Sequence, residues 1–371
     1  MKSFSRGIVA LMLVSAILLF SDLQNRNKKD DSQINAAMEQ SGTADQGLAQ
    51  NPGNTNAGEQ LPSSGSLKVG EKFRLSLVHY VDSPNSEDCE KGIRKALADK
   101  NMVEGTDFTM KVYNAQGDIS TLNSIAETIG NETWDLVFAL STPTAQLLTK
   151  KLPRAKIIFT NVGDPVAAGL GKSFQDHLPN VCGISTMSDF EGLIRLVRTL
   201  HPGVKSVGTV FTPAEINSVS YKNHLEAAAR KYGVKLFSIP ANTATEVMDA
   251  ANSLVAQRID VFCQISDNLT GSSSSAILKV AHDSKIPYYG FVTQQMSQGA
   301  VAVCARDYFQ AGLEAGQMGI EVLSGKNPVK IPFRFVDKTD YLISIETARY
   351  YKIQVPQQAF KSFPTLKIKT K

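Results

Sequence analysis

The stretch DLVFALSTPTAQLL, residues 135–148, decides the reading of the whole chain. It opens on an apolar run, Leu136 to Leu140, that stops at Ser141-Thr142-Pro143-Thr144, and helical spacing follows from Ala145. A continuous apolar run of this length reads as a strand buried on both faces, as in a parallel sheet. A hydroxyl residue followed by Pro reads as a helix start: the hydroxyl can accept from the first N–H groups, and Pro suits the first turn. The stretch therefore predicts a strand whose carboxyl end runs into the amino end of a helix. Such a turn gathers free N–H donors and the positive end of the helix dipole, which favours an anion such as a carboxylate. It also lies where open α/β sheets bind ligands, at the carboxyl ends of their strands. An ordinary capped turn needs the same residue types, so this stretch alone leaves both readings open.

The same alternation extends outward. Strands are expected over 73–81, 107–113, 134–140, 156–160 and 181–185, with helices over 85–100, 119–130 and 144–151. The pattern then restarts. Helices are expected over 190–200, 218–232, 244–257, 274–283 and 308–323, and strands over 206–211, 236–239, 260–265 and 288–292. Two further strands, 331–335 and 341–345, follow in the tail. Repeated βα units imply parallel sheets with right-handed crossovers. The expected fold class is α/β, with two parallel-sheet lobes joined near 185–189 and their polar turns facing one cleft. Candidates on one wall are Tyr80, Asp82, Ser141, Thr142, Thr144, Asn161 and Asp164. On the other they are Thr212, Glu215, Asn217, Ser218, Asp267 and Asn268. Asp267 closes an apolar strand, where a carboxylate needs a partner: a ligand ammonium, or the N–H groups of a turn or helix that it caps. Asn217-Ser218 opens a second hydroxyl- and amide-lined helix. Two anion-favouring helix starts together with acids suit a zwitterion.

Composition sets the outer bounds. At 371 residues the chain has room for two or three domains. A net charge of +4 over that length, with no basic stripe interleaved with aromatics, gives no argument for nucleic acid. Lys2 and Arg6 precede an apolar segment over 7–20, which reads as a secretory leader. It lacks a clear A-x-A-like cleavage site, so an uncleaved signal anchor is the alternative; both put the remainder outside the cytoplasm. Residues 22–66 are rich in Asn, Gln, Ser, Gly and Ala and read as a disordered tether. The expected division is 1–21 leader or anchor, 22–69 linker, 70–187 plus about 303–330 first lobe, 188–302 second lobe, and 331–371 crossing back over the hinge. Cys89, Cys182, Cys263 and Cys304 show no CxxC spacing and read as buried thiols.

Catalytic signatures do not assemble. Gly169-Leu170-Gly171-Lys172-Ser173 resembles the tail of a phosphate loop, but Val166 stands where its first Gly is required. No GxSxG, HExxH or DxDxDG motif occurs, and the five histidines have no metal-ligand spacing. The hydroxyl run 272–275 has no base beside it and reads as a helix start. The chain is therefore expected not to be an enzyme and to need no cofactor or metal.

Three stretches carry a family resemblance: 138–146 (FALSTPTAQ), 158–170 (IFTNVGDPVAAGL) and 182–185 (CGIS). Together with 213–218 (PAEINS), 266–268 (SDN) and the Ile331-Pro332 region, they resemble the ABC-transporter substrate-binding proteins of the tryptophan/tyrosine-binding type. The resemblance spans roughly residues 73–360. It implies the type I periplasmic-binding fold: two Rossmann-like lobes, a hinge of crossing segments, and a small ligand enclosed when the lobes close. It also implies an amino acid, aromatic in many members, delivered by a monomeric protein to an ABC permease in the membrane. It assigns the ligand carboxylate to Ser141, Thr142 and Thr144, with Asn217 and Ser218 completing the clamp, and the ammonium to Asp267; Asp164 would sit at the rim. Tyr80, Phe291 and Met296 are candidates for the ligand's apolar part or, equally, for the core. The turns Val81-Asp82-Ser83-Pro84 and Asn268-Leu269-Thr270-Gly271 depart from the family pattern, which leaves the identity of the amino acid open. A membrane-anchored ligand sensor on the same fold is the alternative function.

Overall fold

The computed structural model describes residues 72–369. The expected leader and the expected linker lie outside them. The described chain forms two sheets. The first has the order β11-β5-β4-β3-β1-β2, with β1 Phe73–His79, β2 Phe108–Asn114, β3 Leu136–Leu140, β4 Ile157–Val162, β5 Val181–Ser185 and β11 Arg334–Phe335. The second has the order β13-β12-β10-β9-β8-β6-β7, with β6 Ser206–Phe211, β7 Lys235–Pro240, β8 Val261–Cys263, β9 Tyr288–Gly290, β10 Ala302–Arg306, β12 Thr339–Ile343 and β13 Leu366–Ile368. Every strand pairing in the two sheets is parallel except that of β10 with β12. This is the α/β two-lobe architecture, with helices interleaved along both series.

The two series repeat one topology. In chain order the first runs 2-1-3-4-5 across its sheet, and the second runs 7-6-8-9-10 in the same way. In such doubly wound sheets the strand order reverses beside the first strand, and the crevice opens at the carboxyl ends there. The reversal points lie between β1 and β3 and between β6 and β8, so the turns after these strands become the cleft walls. The deciding stretch behaves as its apolar run requires. All five residues of β3 are buried, between β1 and β4.

Helices cover both sheets. In the first lobe, α1 (Pro84–Asp99) starts at a reciprocal cap: Ser86 N–H donates to Ser83 Oγ, and Ser83 N–H to Ser86 Oγ. Helix α2 (Ile119–Gly130) is capped by Asp118, and α3 (Thr142–Lys151) follows β3. In the second lobe lie α4 (Phe190–Leu200), α5 (Ile216–Lys231), α6 (Ala244–Ala256), α7 (Asn268–Ser272) and α8 (Ser274–Asp283). Helix α9 (Tyr308–Leu323) returns to the first lobe and packs on α1 at glycine contacts. A Cβ at Gly312 would stand 2.0 Å from the Cys89 carbonyl oxygen, and one at Gly92 2.1 Å from that of Phe309. Two short helices, α10 (Ile345–Tyr350) and α11 (Gln357–Ser362), close the chain on the second lobe. Each lobe buries apolar side chains on both faces of its sheet.

Three segments connect the sheets: 186–189, Arg306 with Asp307, and 336–338. The second crossing falls later than the expected 303, because 302–306 is strand β10 of the second sheet. The segment 341–345 also differs from its reading. The strand is Thr339–Ile343, and Ile345 opens α10 with Ser344 as its cap. The four cysteines are buried and unbridged. Burial pushes the thiols of Cys89, Cys182 and Cys304 up to about 12, so they behave as small apolar residues.

Candidate functional site

The turn after β3 is unusual at its first residue. Ser141 has φ 87° and ψ 159°, a region that side chains other than glycine rarely occupy. Its N–H donates to Thr160 O at 3.1 Å, and its hydroxyl lies 3.3 Å from that of Thr144. The hydroxyl does not cap the helix as the sequence reading supposed. The N–H groups of Thr142 and Thr144 therefore have no acceptor among the described residues. Thr142 lines a cavity of about 260 Å³ between the lobes, together with Asp82, Ser83, Pro84, Asn85 and Asn161. Asn161 reaches it from a break in register between β4 and β5, with φ 56°. A bulge beside a site re-aims one side chain, and Asn tolerates the left-handed conformation. Ser141 and Thr144 are buried behind this wall.

The second lobe's wall of the same cavity carries Asn217, Tyr221, Ser266, Asp267 and Asn268. Asp267 is 3% exposed and caps α7. Its Oδ1 accepts from Thr270 N–H and Thr270 Oγ1, both at 2.7 Å, and its Oδ2 accepts from Ser218 Oγ at 2.5 Å. Asp267 is thus a cap, one of its two sequence readings, and it also lines the cleft. Ser218 is corrected. Its hydroxyl accepts from Thr212 N–H and donates to Asp267, so it is not available to a ligand carboxylate.

Glu215 stands just before α5. Its Oε2 accepts from Asn268 N–H at 3.0 Å, Asn268 Nδ2 at 2.6 Å and Asn217 Nδ2 at 3.2 Å; its Oε1 accepts from Leu269 N–H at 3.2 Å. Lost hydration, and then the neighbouring Asp267, push its carboxyl up to about 7. Burial also raises the Asp267 carboxyl, against the hydrogen bonds that favour its charged form. No lysine, arginine or histidine neutralises either acid among the described residues. Burial of carboxylates without a cation partner disfavours their charged forms, which is the direction both acids show.

A second, larger cavity of about 710 Å³ adjoins the first, sharing Asn268 and Ser272 with it. Its apolar lining includes Val81, Pro143, Leu147, Ile216 and Leu269, with Tyr80 and Glu215 beside them. Tyr80 donates its hydroxyl to Gly117 O at 2.7 Å. Phe291 and Met296 are core residues and are removed from the apolar site. Asp164 lines neither cavity. It accepts from Ala167 N–H at 2.9 Å in its own turn and from Ser220 Oγ of the second lobe at 3.0 Å, so it joins lobe to lobe.

Several site residues carry no mark in the sequence. Tyr221 sits mid-helix in α5, yet its hydroxyl crosses to the first lobe: a Cβ on Gly163 would lie 2.1 Å from it. Gln264 is fully buried and bonds Val210 N–H, Val210 O and Ile265 O, each at 2.8 Å, extending the β6–β8 junction beyond the three residues of β8. Gln295 accepts from Phe291 and Val292 N–H groups and lines the cavity. Among the described residues no group of three His, Cys, Asp or Glu could hold a metal, and no helix is long and apolar enough to cross a membrane.

The cleft is built from matching ends of two repeated sheets, and the chain's likeness to known proteins covers both. The sequence model of the ABC transporter substrate binding protein family matches residues 74–364. The chain belongs to that family. This family member is 35% identical over 308 residues to a tyrosine-binding protein of Clostridioides difficile, covering 83% of this chain and 88% of that one. A conserved domain protein from Vibrio cholerae has a TM-score of 0.75 at 28% identity, covering 80% of this chain and 100% of that one. An ABC domain from Streptococcus pneumonia, solved in complex with L-Trp, also reaches 0.75 at 23% identity, with the same coverage. The ligand-free, open structure of a substrate-binding protein with adhesive properties from Clostridium difficile has a TM-score of 0.63 at 28% identity, covering 80% of this chain and 99% of that one.

Proposed function

We propose that this substrate-binding protein captures a small zwitterion, an aromatic amino acid, between its lobes, for delivery to an ABC importer. The supporting observation is the charge division across the cleft. The first lobe presents the free N–H of Thr142 at the amino end of α3, with that of Thr144 buried behind it. The second presents Asp267 and Glu215 without a cation. The ligand carboxylate is assigned to the α3 end, where donors and dipole favour it. The ammonium is assigned to Asp267 with the carbonyl oxygen of Asn217, and the side chain to the larger cavity around Tyr80 and Leu147. A ligand touching both walls favours the closed arrangement by its differential affinity for it. The relatives whose names carry tyrosine and L-Trp support an aromatic side chain. The protein is proposed to act outside the cytoplasm, as a monomer, with a membrane permease as partner.

Titration calorimetry across the amino acids tests this reading, with aromatic members expected to bind. Asp267→Ala should weaken them at least tenfold, about 1.4 kcal/mol. A wild-type protein that binds no amino acid would overturn the reading, and unchanged affinity of the variant would remove Asp267 from the ammonium site.

A further inference from the structure

The Asn217 side chain has one end satisfied and one end open. Its Nδ2 donates to Glu215 Oε2 at 3.2 Å, while its Oδ1 is buried with no hydrogen-bond partner. The residue is 5% exposed and lines the smaller cavity. An amide has donors on one arm and an acceptor on the other, and only the donor arm can face a carboxylate. The charge of Glu215 therefore dictates which way the amide is turned. Asn268 is turned by the same oxygen, through its Nδ2 at 2.6 Å, and its backbone N–H is held there too. An unpartnered buried carbonyl oxygen is costly, and a ligand donor would satisfy it.

We infer that Glu215 is a positioning residue that turns the Asn217 amide so that its carbonyl oxygen accepts from a ligand's primary ammonium group. Glu215 does not touch the ammonium in this arrangement; it acts through Asn217 and through the Asp267-Asn268 turn. The inference rests on the amino-acid reading above and assigns to Glu215 a role in that site. It also makes ligand capture depend on pH, since a protonated Glu215 no longer forces the amide one way, and a cation bound nearby favours the charged carboxylate. The titratable groups around Glu215 are Asp267 at the start of α7, Tyr80 after β1 and Tyr221 on α5, while Lys150 of α3 lines the same larger cavity. The tyrosines, both raised, stay neutral near pH 7, and Asp267, itself raised by burial, is the acid coupled to Glu215.

Calorimetry on wild type, Glu215→Gln and Glu215→Asp between pH 5.5 and 8 tests the inference, using an aromatic L-amino acid that the wild type binds. Circular dichroism and melting curves confirm that each variant is folded. Wild-type affinity should rise as pH increases through about 7, with protons released on binding. Glu215→Gln should bind at least tenfold more weakly at pH 8, with a flatter pH profile, because its amide can pull Asn217 the other way. Glu215→Asp should keep the wild-type slope and recover part of the affinity. A folded Glu215→Gln protein with wild-type affinity and slope would overturn the inference. So would a variant weakened equally at every pH with the slope intact, which would mark a purely structural role. A wild type that binds no amino acid at all would instead take down the functional reading itself.

Discussion

At the scale of single residues, the site is defined by groups whose charge or conformation is left unresolved in the folded chain. Glu215 and Asp267 share one wall, and both carboxyls are raised, chiefly by loss of hydration. A raised carboxyl means that folding prefers the protonated form. That stabilising term is complete below the unfolded range, near 4.5 for Glu215, and is lost as pH rises through about 7. Ligand-free wild type should therefore lose stability relative to Glu215→Gln between pH 5 and 8, by at most on the order of 3 kcal/mol. Denaturant melts at several pH values check this, and a constant difference would contradict it. Ser141 is the other such residue. Its φ of 87° carries strain of about 1–3 kcal/mol, against an entropic cost of roughly 0.5–1 kcal/mol for glycine. Ser141→Gly should thus raise stability by about 1 kcal/mol; a destabilised variant would show that the turn is not strained. Thr142 and Asp267 were legible in the sequence because each is polar at the abrupt end of an apolar run. Tyr221 was not, since a mid-helix tyrosine has the same local pattern whether it fills a core or crosses a cleft. Ser218 was read as a carboxylate ligand because only the fold brings it beside Asp267, 49 positions away.

At the scale of elements, the apolar runs predicted most strands and helices, and the exceptions have physical reasons. Strand β10, Ala302–Arg306, was missed although it is fully embedded between β9 and β12. Its sequence, AVCAR, is short and includes two alanines, which have weak strand preference, and a helix follows after one residue. Helix α7 was missed because five residues carry no period. The role of Gln264 was illegible for a related reason: a glutamine in DVFCQI marks the end of an apolar run, whereas in the fold its amide continues the sheet. Replacing it with leucine would leave Val210 N–H without a partner and Val210 O with only the Thr209 hydroxyl at 3.4 Å, while Ile265 O would keep the Thr270 hydroxyl at 3.3 Å. At about 1–3 kcal/mol for a buried orphan, Gln264→Leu should cost about 1–3 kcal/mol. A loss below 1 kcal/mol in chemical denaturation would show that water or local repacking replaces the glutamine.

At the scale of the whole molecule, the alternation of strand and helix made two parallel-sheet lobes legible, along with the polar turns between them. Strand order and the crossings were not, because a local pattern holds no record of which strands pair. The crossings are tied together by Arg306: its Nε donates to Met187 O at 2.7 Å on the first segment, and its guanidinium also reaches Thr339 beyond the third. Across the cleft, Asp164 meets Ser220, and Tyr221 lies against Gly163. Gly163→Ala should push Tyr221 away and hold the lobes further apart, seen as a larger radius of gyration by small-angle scattering and weaker ligand binding. Unchanged scattering and affinity would show that this contact does not set the lobe spacing. The central claim is that one wall takes a ligand carboxylate and the other its ammonium. Calorimetry with L-tyrosine, its decarboxylated amine and its deaminated acid tests that claim most directly. The intact amino acid should bind, and each truncated analogue should bind at least a hundredfold more weakly, about 2.7 kcal/mol. Either analogue binding as tightly as L-tyrosine would contradict it.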